Sequence, residues 1–252
     1  MTAKGMARLK KSDLFDNPSP RLPIALVLDR SLSMTGETSM GAAVQQTNPS
    51  PIALLNEALG GFVRDVGADE IARYSANIAI IGFSGRPEVL SDFIPLELMP
   101  APTLEVDKEY PGTSLGTAVN LALDLLATRK REYQEAGVDY YQPWLVIMTD
   151  GQPTDDSHVA AAQASQDLIT SRRLVTFPVG IGAGADLGVL AMFADPRRPP
   201  MSLRDFRFKE FFQWLSQSVQ VMSASMPGTT PPLLGSTAEW TEQGPDADWS
   251  VI

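Results

Sequence analysis

"LVLDRSLSMTG" occupies Leu26 to Gly36. An apolar run ends in a carboxylate, Asp29, and hydroxyls follow at Ser31 and Ser33. In extended or loop backbone, alternate residues point the same way. The three oxygen-bearing side chains can therefore face one point where a strand runs out. The stretch reads as a strand buried on both faces, and such a strand needs helices on either side of its sheet.

The rest of the chain supplies that setting. Ile24 to Leu28, Asn77 to Phe83, Trp144 to Met148 and Leu174 to Val179 are short apolar runs of the kind found in buried parallel strands. Between them lie helical patterns. Ser50-Pro51 reads as a cap and first-turn pair, with Ile52, Leu55, Leu59, Phe62 and Val66 following at helical spacing. Gly60-Gly61 inside that pattern costs about 1 kcal/mol per Gly relative to Ala, which implies a kink or a close neighbour. Further helices are predicted from about Leu115 to Glu135, from about Val159 to Ser171, and around Phe208, Phe211, Phe212, Leu215 and Val219. Val89 to Ile94, after the turn Gly85-Arg86-Pro87, reads as an antiparallel edge strand. Strands alternating with helices give an α/β fold, doubly wound, with a mostly parallel sheet covered on both faces.

In open α/β sheets, ligands bind beyond the carboxyl ends of the strands. Asp29, Ser31 and Ser33 sit past one such end. Asp150 sits past another, in "WLVIMTDGQPTDD", and Thr113 lies in "YPGTSLGTAVN", a loop feeding a helix. If the three loops converge, they bring together two carboxylates and three hydroxyls. That donor set suits a hard cation such as Mg²⁺, which favours oxygen ligands and keeps several waters. Hydroxyls add ligands without charge, so the ion stays electron-poor and open to one more carboxylate from outside.

Composition narrows the chemistry. The 252 residues include no Cys, which excludes disulfides and thiolate sites, and one His, His158, which argues against His/Cys zinc sites. A net charge of -10 argues against a nucleic-acid footprint. No apolar run approaches the roughly 18–20 residues that span a bilayer, and the basic start of the chain lacks the apolar segment of a signal peptide. The expectation is a cytoplasmic protein without membrane contact.

The D-x-S-x-S element (Asp29, Ser31, Ser33), the separate Thr113 and the Asp150 of T-D-G occur in the order of a metal-ion-dependent adhesion site. The chain thereby resembles von Willebrand factor A domains over roughly residues 20 to 225. "RLPIALVLDRSLSM", "GTSLGTAVNLALDLL", "WLVIMTDGQPTDD" and "FFQWLSQSV" are similar to the bacterial TerY-like (tellurium resistance) branch. The resemblance implies a six-stranded sheet and a non-enzymatic protein-recognition module. It implies Mg²⁺, with Mn²⁺ or Ca²⁺ as alternatives, held by Asp29, Ser31, Ser33, Thr113 and Asp150. A protein partner's Glu or Asp completes the shell. It further implies a regulator or scaffold in a stress-response or defence system, with a protein kinase and a protein phosphatase among its partners.

Two features depart from the family pattern. Leu32 stands between the serines where Gly is usual, and an insert of about residues 35–50 separates the second serine from the first helix. The expected organisation is a flexible basic segment (1–20), the domain (21–226), and a Pro/Gly-rich acidic tail (227–252). The tail is expected to be disordered or to dock a partner, and its Trp240 and Trp249 either pack loosely on the domain, dangle, or form a docking segment.

Two other readings use the same residues. In one, a structural subunit closes its own metal site with Glu37 of the insert or Asp248 of the tail. In the other, the metal serves a hydrolase. The second lacks a further ligand cluster, an obvious base, and a Lys or Arg clearly placed to hold a phosphate. "IGFSGRP" is not a G-x-S-x-G elbow, because Arg86 replaces the last Gly. "VGIGAGADLG" (Val179 to Gly188) follows a late strand and reads as an ordinary strand-to-helix loop, not a dinucleotide fingerprint. Thr113 and Ser114 are both candidate helix caps as well, and Asp155 and Asp156 read as caps of the helix containing His158.

Overall fold

The computed structural model of the chain describes residues 17, 19–40, 43–100, 102–182, 184–228, 235–242 and 249, with only the backbone described over 38–40 and 43–46. Expectations that concern Asp248 and most of the segment 1–20 fall outside these residues.

The first strand, β1 (Leu22–Asp29), is buried along its whole length. Its side chains alternate between two cores. Leu22, Ile24, Leu26 and Leu28 enter one, and Ala25 and Val27 enter the other. This two-sided burial is why the strand reads as an unbroken apolar run. After it come a 3₁₀ turn (Leu32–Thr35) and a two-stranded antiparallel hairpin, β2 (Glu37–Met40) with β3 (Ala43–Gln46). The insert of the sequence reading is thus a hairpin.

The chain continues through α1 (Pro51–Ala68), the short α2 (Ala72–Ser75), β4 (Ala76–Phe83) and β5 (Pro87–Ile94). It then runs through α3 (Leu115–Ala136), β6 (Trp144–Thr149), α4 (His158–Thr170) and β7 (Val175–Ile181). It ends with α5 (Leu187–Ala191), β8 (Met201–Leu203) and α6 (Phe208–Ser223).

The main sheet has six strands in the order β5-β4-β1-β6-β7-β8. All neighbours are parallel except β4 and β5, so β5 is the antiparallel edge expected from Val89 to Ile94. α1 and α6 cover one face, with Phe62 against Phe212 at 5.5 Å. α3 and α4 cover the other. Their starts approach closely at Gly116, where a Cβ would lie 2.2 Å from the His158 backbone nitrogen. The chain builds outward from β1 on one side and then returns to build on the other. The reversal lies between β1 and β6, and a crevice opens above such a point in doubly wound sheets.

Three local features bear on expectations from the sequence. α1 runs through Gly60-Gly61 without interruption, and a Cβ on either glycine would meet nothing nearer than the Arg64 guanidinium, at 3.4 and 3.9 Å. The group nearest the pair is thus a side chain of the same helix. Ser50 holds the N-cap position before Pro51, but its side chain makes no capping bond. In the tail, the described residues around Trp240 and Trp249 pack on the domain, as one of the readings of these tryptophans has it. Trp240 and Trp249 are buried against Trp214, and Leu203 of β8 forms an antiparallel bridge with Thr241. The backbone of 240–242 thereby covers the open edge of the sheet, with Glu242 N–H donating to Ser202 O at 2.9 Å.

A buried carboxylate sits near this end of the molecule. Asp195 accepts hydrogen bonds from Arg197 N (2.9 Å), Arg197 Nη2 (2.9 Å) and Arg198 Nη2 (3.1 Å). Burial alone would raise its pKa, but the bonds from Arg197 and Arg198 outweigh that and hold it well below the usual carboxylate range. A lowered folded-state pKa contributes stability above the unfolded value near 3.8 and loses it as pH falls further. Asp195→Asn is therefore expected to cost about 1–2 kcal/mol at neutral pH, the exposed Arg197 adding little. It should also flatten the loss of stability below about pH 4, which urea melts over a pH series would show. Equal acid sensitivity in both proteins would count against this.

Candidate metal centre

Strand geometry explains how the cluster arises. Ala25, Val27 and Asp29 continue one row of β1, and Leu145, Ile147 and Thr149 continue the matching row of β6. Leu28 pairs with Met148 in the parallel register, so Asp29 and Thr149 end side by side. Thr149 Oγ1 donates to Asp29 Oδ2 at 2.5 Å, and Ser31 N–H donates to Asp29 Oδ1 at 2.8 Å. Asp29 is fully buried.

A chain of short contacts runs outward from there. Ser31 Oγ and Ser33 Oγ lie 2.8 Å apart, and Ser33 Oγ donates to Asp150 Oδ1 at 2.8 Å. Thr113 comes from the α3 side. Its N–H donates to Thr154 Oγ1 at 2.9 Å, and its carbonyl accepts from Thr154 N at 2.9 Å. A Cβ on Gly151 would stand 3.5 Å from Thr113 Oγ1, so the hydroxyl borders the residue after Asp150. Direct hydrogen bonds thus link Ser31, Ser33 and Asp150. Asp29 lies behind Ser31, and Thr113 lies at the flank.

The electrostatics are those of a site short of positive charge. Burial, and then repulsion from Asp150, push the Asp29 carboxyl up to about 6, against the hydrogen bonds from Thr149 and Ser31. Burial also raises Asp150, against the bond from Ser33. Among the described residues no Lys or Arg pairs with either carboxylate. Two desolvated carboxylates beside three hydroxyls, without a cationic side chain, fit a hard divalent ion. The group is too small in carboxylates to stand out as an acid-rich cluster. Among the described residues no three His, Cys, Asp or Glu side chains gather at a metal-sized site.

Leu32 proves compatible with its place. It begins the 3₁₀ turn and is 46 % exposed, so the position makes no demand for positive φ and the side chain faces outward. The loop after β7 is a strand-to-helix connection, with Asp186 capping α5 by accepting from Val189 N–H at 3.0 Å.

Capping at the start of α3 and α4 differs from the expectation. Asp155 does not cap its own helix. Its carboxylate reaches across to α3, accepting from Gly116 N (3.2 Å), Thr117 N (2.8 Å), Thr117 Oγ1 (3.0 Å) and Ser157 Oγ (2.5 Å). Burial opposes its ionisation, but these donors hold the carboxyl below its ordinary value. Asp156 makes no capping contact of this kind. Ser114 occupies the N-cap of α3 but turns its hydroxyl to Ser84 O at 2.8 Å.

Sequence reasoning missed Thr149 and Thr154, which orient Asp29 and Thr113. Thr149 left a trace, because a hydroxyl closing the buried run "WLVIMT" needs a partner.

The family description of the von Willebrand factor type A domain matches residues 24–214. Comparison with the curated proteins gives no match. Among solved structures, the chain is similar to the vWF domain of the type V pili tip protein Mfa5 from Porphyromonas gingivalis. The TM-score is 0.57 at 12 % identity, covering 84 % of this chain and 99 % of that one. It is also similar to proximal thread matrix protein 1 from the mussel byssus with a zinc-occupied MIDAS motif, with TM-score 0.51, 13 % identity and coverage of 81 % and 48 %. A third is a von Willebrand factor type A protein from Catenulispora acidiphila, with TM-score 0.51, 17 % identity and coverage of 80 % and 43 %. The chain spans about half the length of the mussel protein. With more than half of its residues matched, the chain belongs to the von Willebrand factor type A domain family.

Proposed function

We propose that this domain is a metal-dependent protein-recognition module. Asp29, Ser31, Ser33, Thr113 and Asp150 hold a divalent cation, Mg²⁺ foremost with Mn²⁺ or Ca²⁺ as alternatives. A Glu or Asp of a protein partner takes an open position on the ion. The observation that carries the reading is the chain from Ser31 through Ser33 to Asp150, set against a buried Asp29 that has no cationic partner among the described residues. When bound, the ion supplies an electrophile for an outside carboxylate. The protein's part is to hold five oxygens in place and keep three of them uncharged. The reading includes no catalysis.

The sequence resemblance to the TerY-like branch supports a narrower setting. There the domain acts as a regulator or scaffold in a bacterial stress-response or defence system, in the cytoplasm, with a protein kinase and a protein phosphatase as partners.

The test is a pull-down from native cells with the purified chain. Partner recovery is expected in Mg²⁺ and is expected to be lost in EDTA and in Asp150→Ala. Recovery unchanged under both conditions would overturn the module reading. Recovery that is metal-dependent but without a kinase or phosphatase would overturn only the narrower setting.

A further inference from the structure

The residue between Asp29 and Ser31 is Arg30, and it is buried. Its guanidinium does not face the acidic cluster. Arg30 Nη2 donates to Glu88 Oε2 at 2.7 Å and lies 3.5 Å from Asp107 Oδ2. To reach Glu88 on β5 it must cross β4, where Gly82 pairs with Glu88. A Cβ on Gly82 would lie 3.1 Å from Arg30 Cδ, 3.3 Å from Arg30 Nε and 2.9 Å from Leu90 Cδ1. Glycine inside a buried strand marks a close approach, and here the approaching groups are the Leu90 side chain and the Arg30 stem.

Asp107 links this arginine to the segment that presents Thr113. Asp107 N–H donates to Arg30 O at 3.0 Å. Its Oδ2 accepts from Ser84 Oγ at 2.8 Å, and its Oδ1 accepts from Glu109 N (2.9 Å) and Tyr110 N (3.1 Å). Ser84 O in turn accepts from Ser114 N at 2.7 Å and Ser114 Oγ at 2.8 Å, and Gly85 N donates to Tyr110 O at 2.8 Å. Arg30 N also donates to Phe83 O at 2.8 Å. An unbroken path thus runs from the residue beside Asp29, through Asp107 and Ser84, to the residue beside Thr113.

We propose that Arg30, held by Asp107 and Glu88, is a positioning residue that fixes the Asp29–Ser33 turn relative to the Thr113 loop, so that hydroxyls from separate loops converge before a cation arrives. The proposal rests on the cation reading above. The two acids also offset the Arg30 charge a few bonds from the ion. Groups that orient ligands in this way typically change metal affinity by about 10–100-fold when removed.

The experiment is Mn²⁺ titration of the full chain followed by electron paramagnetic resonance, alongside urea melts in EDTA, for wild type, Arg30→Met, Arg30→Lys and Asp107→Asn. Asp107→Asn keeps an oxygen for the Glu109 and Tyr110 amides but removes the charge facing Arg30, so it remains informative if Arg30→Met folds poorly. We expect Mn²⁺ affinity to fall by about tenfold in Arg30→Met and Asp107→Asn, measured on folded protein, with partial recovery in Arg30→Lys. Lower stability in EDTA with unchanged Mn²⁺ affinity in both variants would make the network merely structural and overturn the proposal. No Mn²⁺ uptake by the wild type would overturn the cation reading itself, a result distinct from uptake that the variants leave intact.

Discussion

Asp29→Asn is expected to abolish the response to Mg²⁺ and Mn²⁺ while raising the stability of the protein in EDTA. Asp29 is fully buried and its carboxyl is pushed up to about 6, by burial first and by Asp150 second. With a folded pKa above the unfolded value of 3.8, the group's stabilising contribution is complete below 3.8 and is lost as pH rises through about 6. At neutral pH, keeping this carboxylate ionised in the metal-free fold therefore costs up to roughly 3 kcal/mol.

Asparagine removes the charge and keeps the shape. Its oxygen still accepts from Ser31 N–H, and its amide can donate to Thr149 Oγ1, which turns to accept. We expect a gain of about 1–3 kcal/mol in EDTA at pH 7, shrinking toward zero near pH 4. Saturating Mg²⁺ should reverse the order, because a ligand that binds only the folded state stabilises it by mass action and the variant has lost that ligand. Urea melts at two pH values, with and without Mg²⁺, decide this. A variant less stable than wild type in EDTA at pH 7 would show that the Asp29 hydrogen bonds outweigh its burial.

The parts of the molecule that were legible in the sequence are those where one residue's surroundings repeat along the chain. β1, β4, β6 and β7 are buried on both faces, so each shows as a plain apolar run. α3 shows as a long periodic stripe ending at Gly137, which takes φ 66 at its C-cap. Asp29, Ser31, Ser33, Thr113 and Asp150 were legible as a motif, though not as a geometry. β8 was invisible because three residues carry no period.

Contacts between loops distant in sequence were invisible for a different reason. Asp155 lies 39 residues from the Gly116 amide it receives. Nothing local distinguishes a carboxylate that caps its own helix from one that caps a neighbour. Arg30 shows the same limit. In isolation it is a charged residue in a loop, and only the missing Cβ at Gly82 and the distant Asp107 reveal why it is buried. The tail's composition left its two tryptophans undecided. Pro, Gly and acid suggest disorder, yet two tryptophans suffice to anchor a short segment.

Trp249→Ala is expected to destabilise the domain by about 3–5 kcal/mol, the cost of deleting a large buried aromatic. Trp249 is 2 % exposed and stacks on Phe177 with ring centroids 5.5 Å apart and planes 25° apart. Its other neighbours are the Trp214 ring edge-on at 6.2 Å and the Arg198 guanidinium at 5.9 Å. Phe177 belongs to β7 and Trp214 to α6, so the residue joins a strand to the helix that covers it. Truncation after Gly228 should cost more, since it also removes Trp240 from Phe211 and Trp214 and uncovers the edge of β8. The two losses should not add, because both tryptophans rest on Trp214 and the cavity is shared. Leu98→Ala is the control, being 66 % exposed and expected to shift the urea midpoint little. An unchanged midpoint in Trp249→Ala would separate the tail from the folded domain and return it to the pool of segments free to reach a partner. A large fall would make Trp249 part of the core that β7 and α6 share.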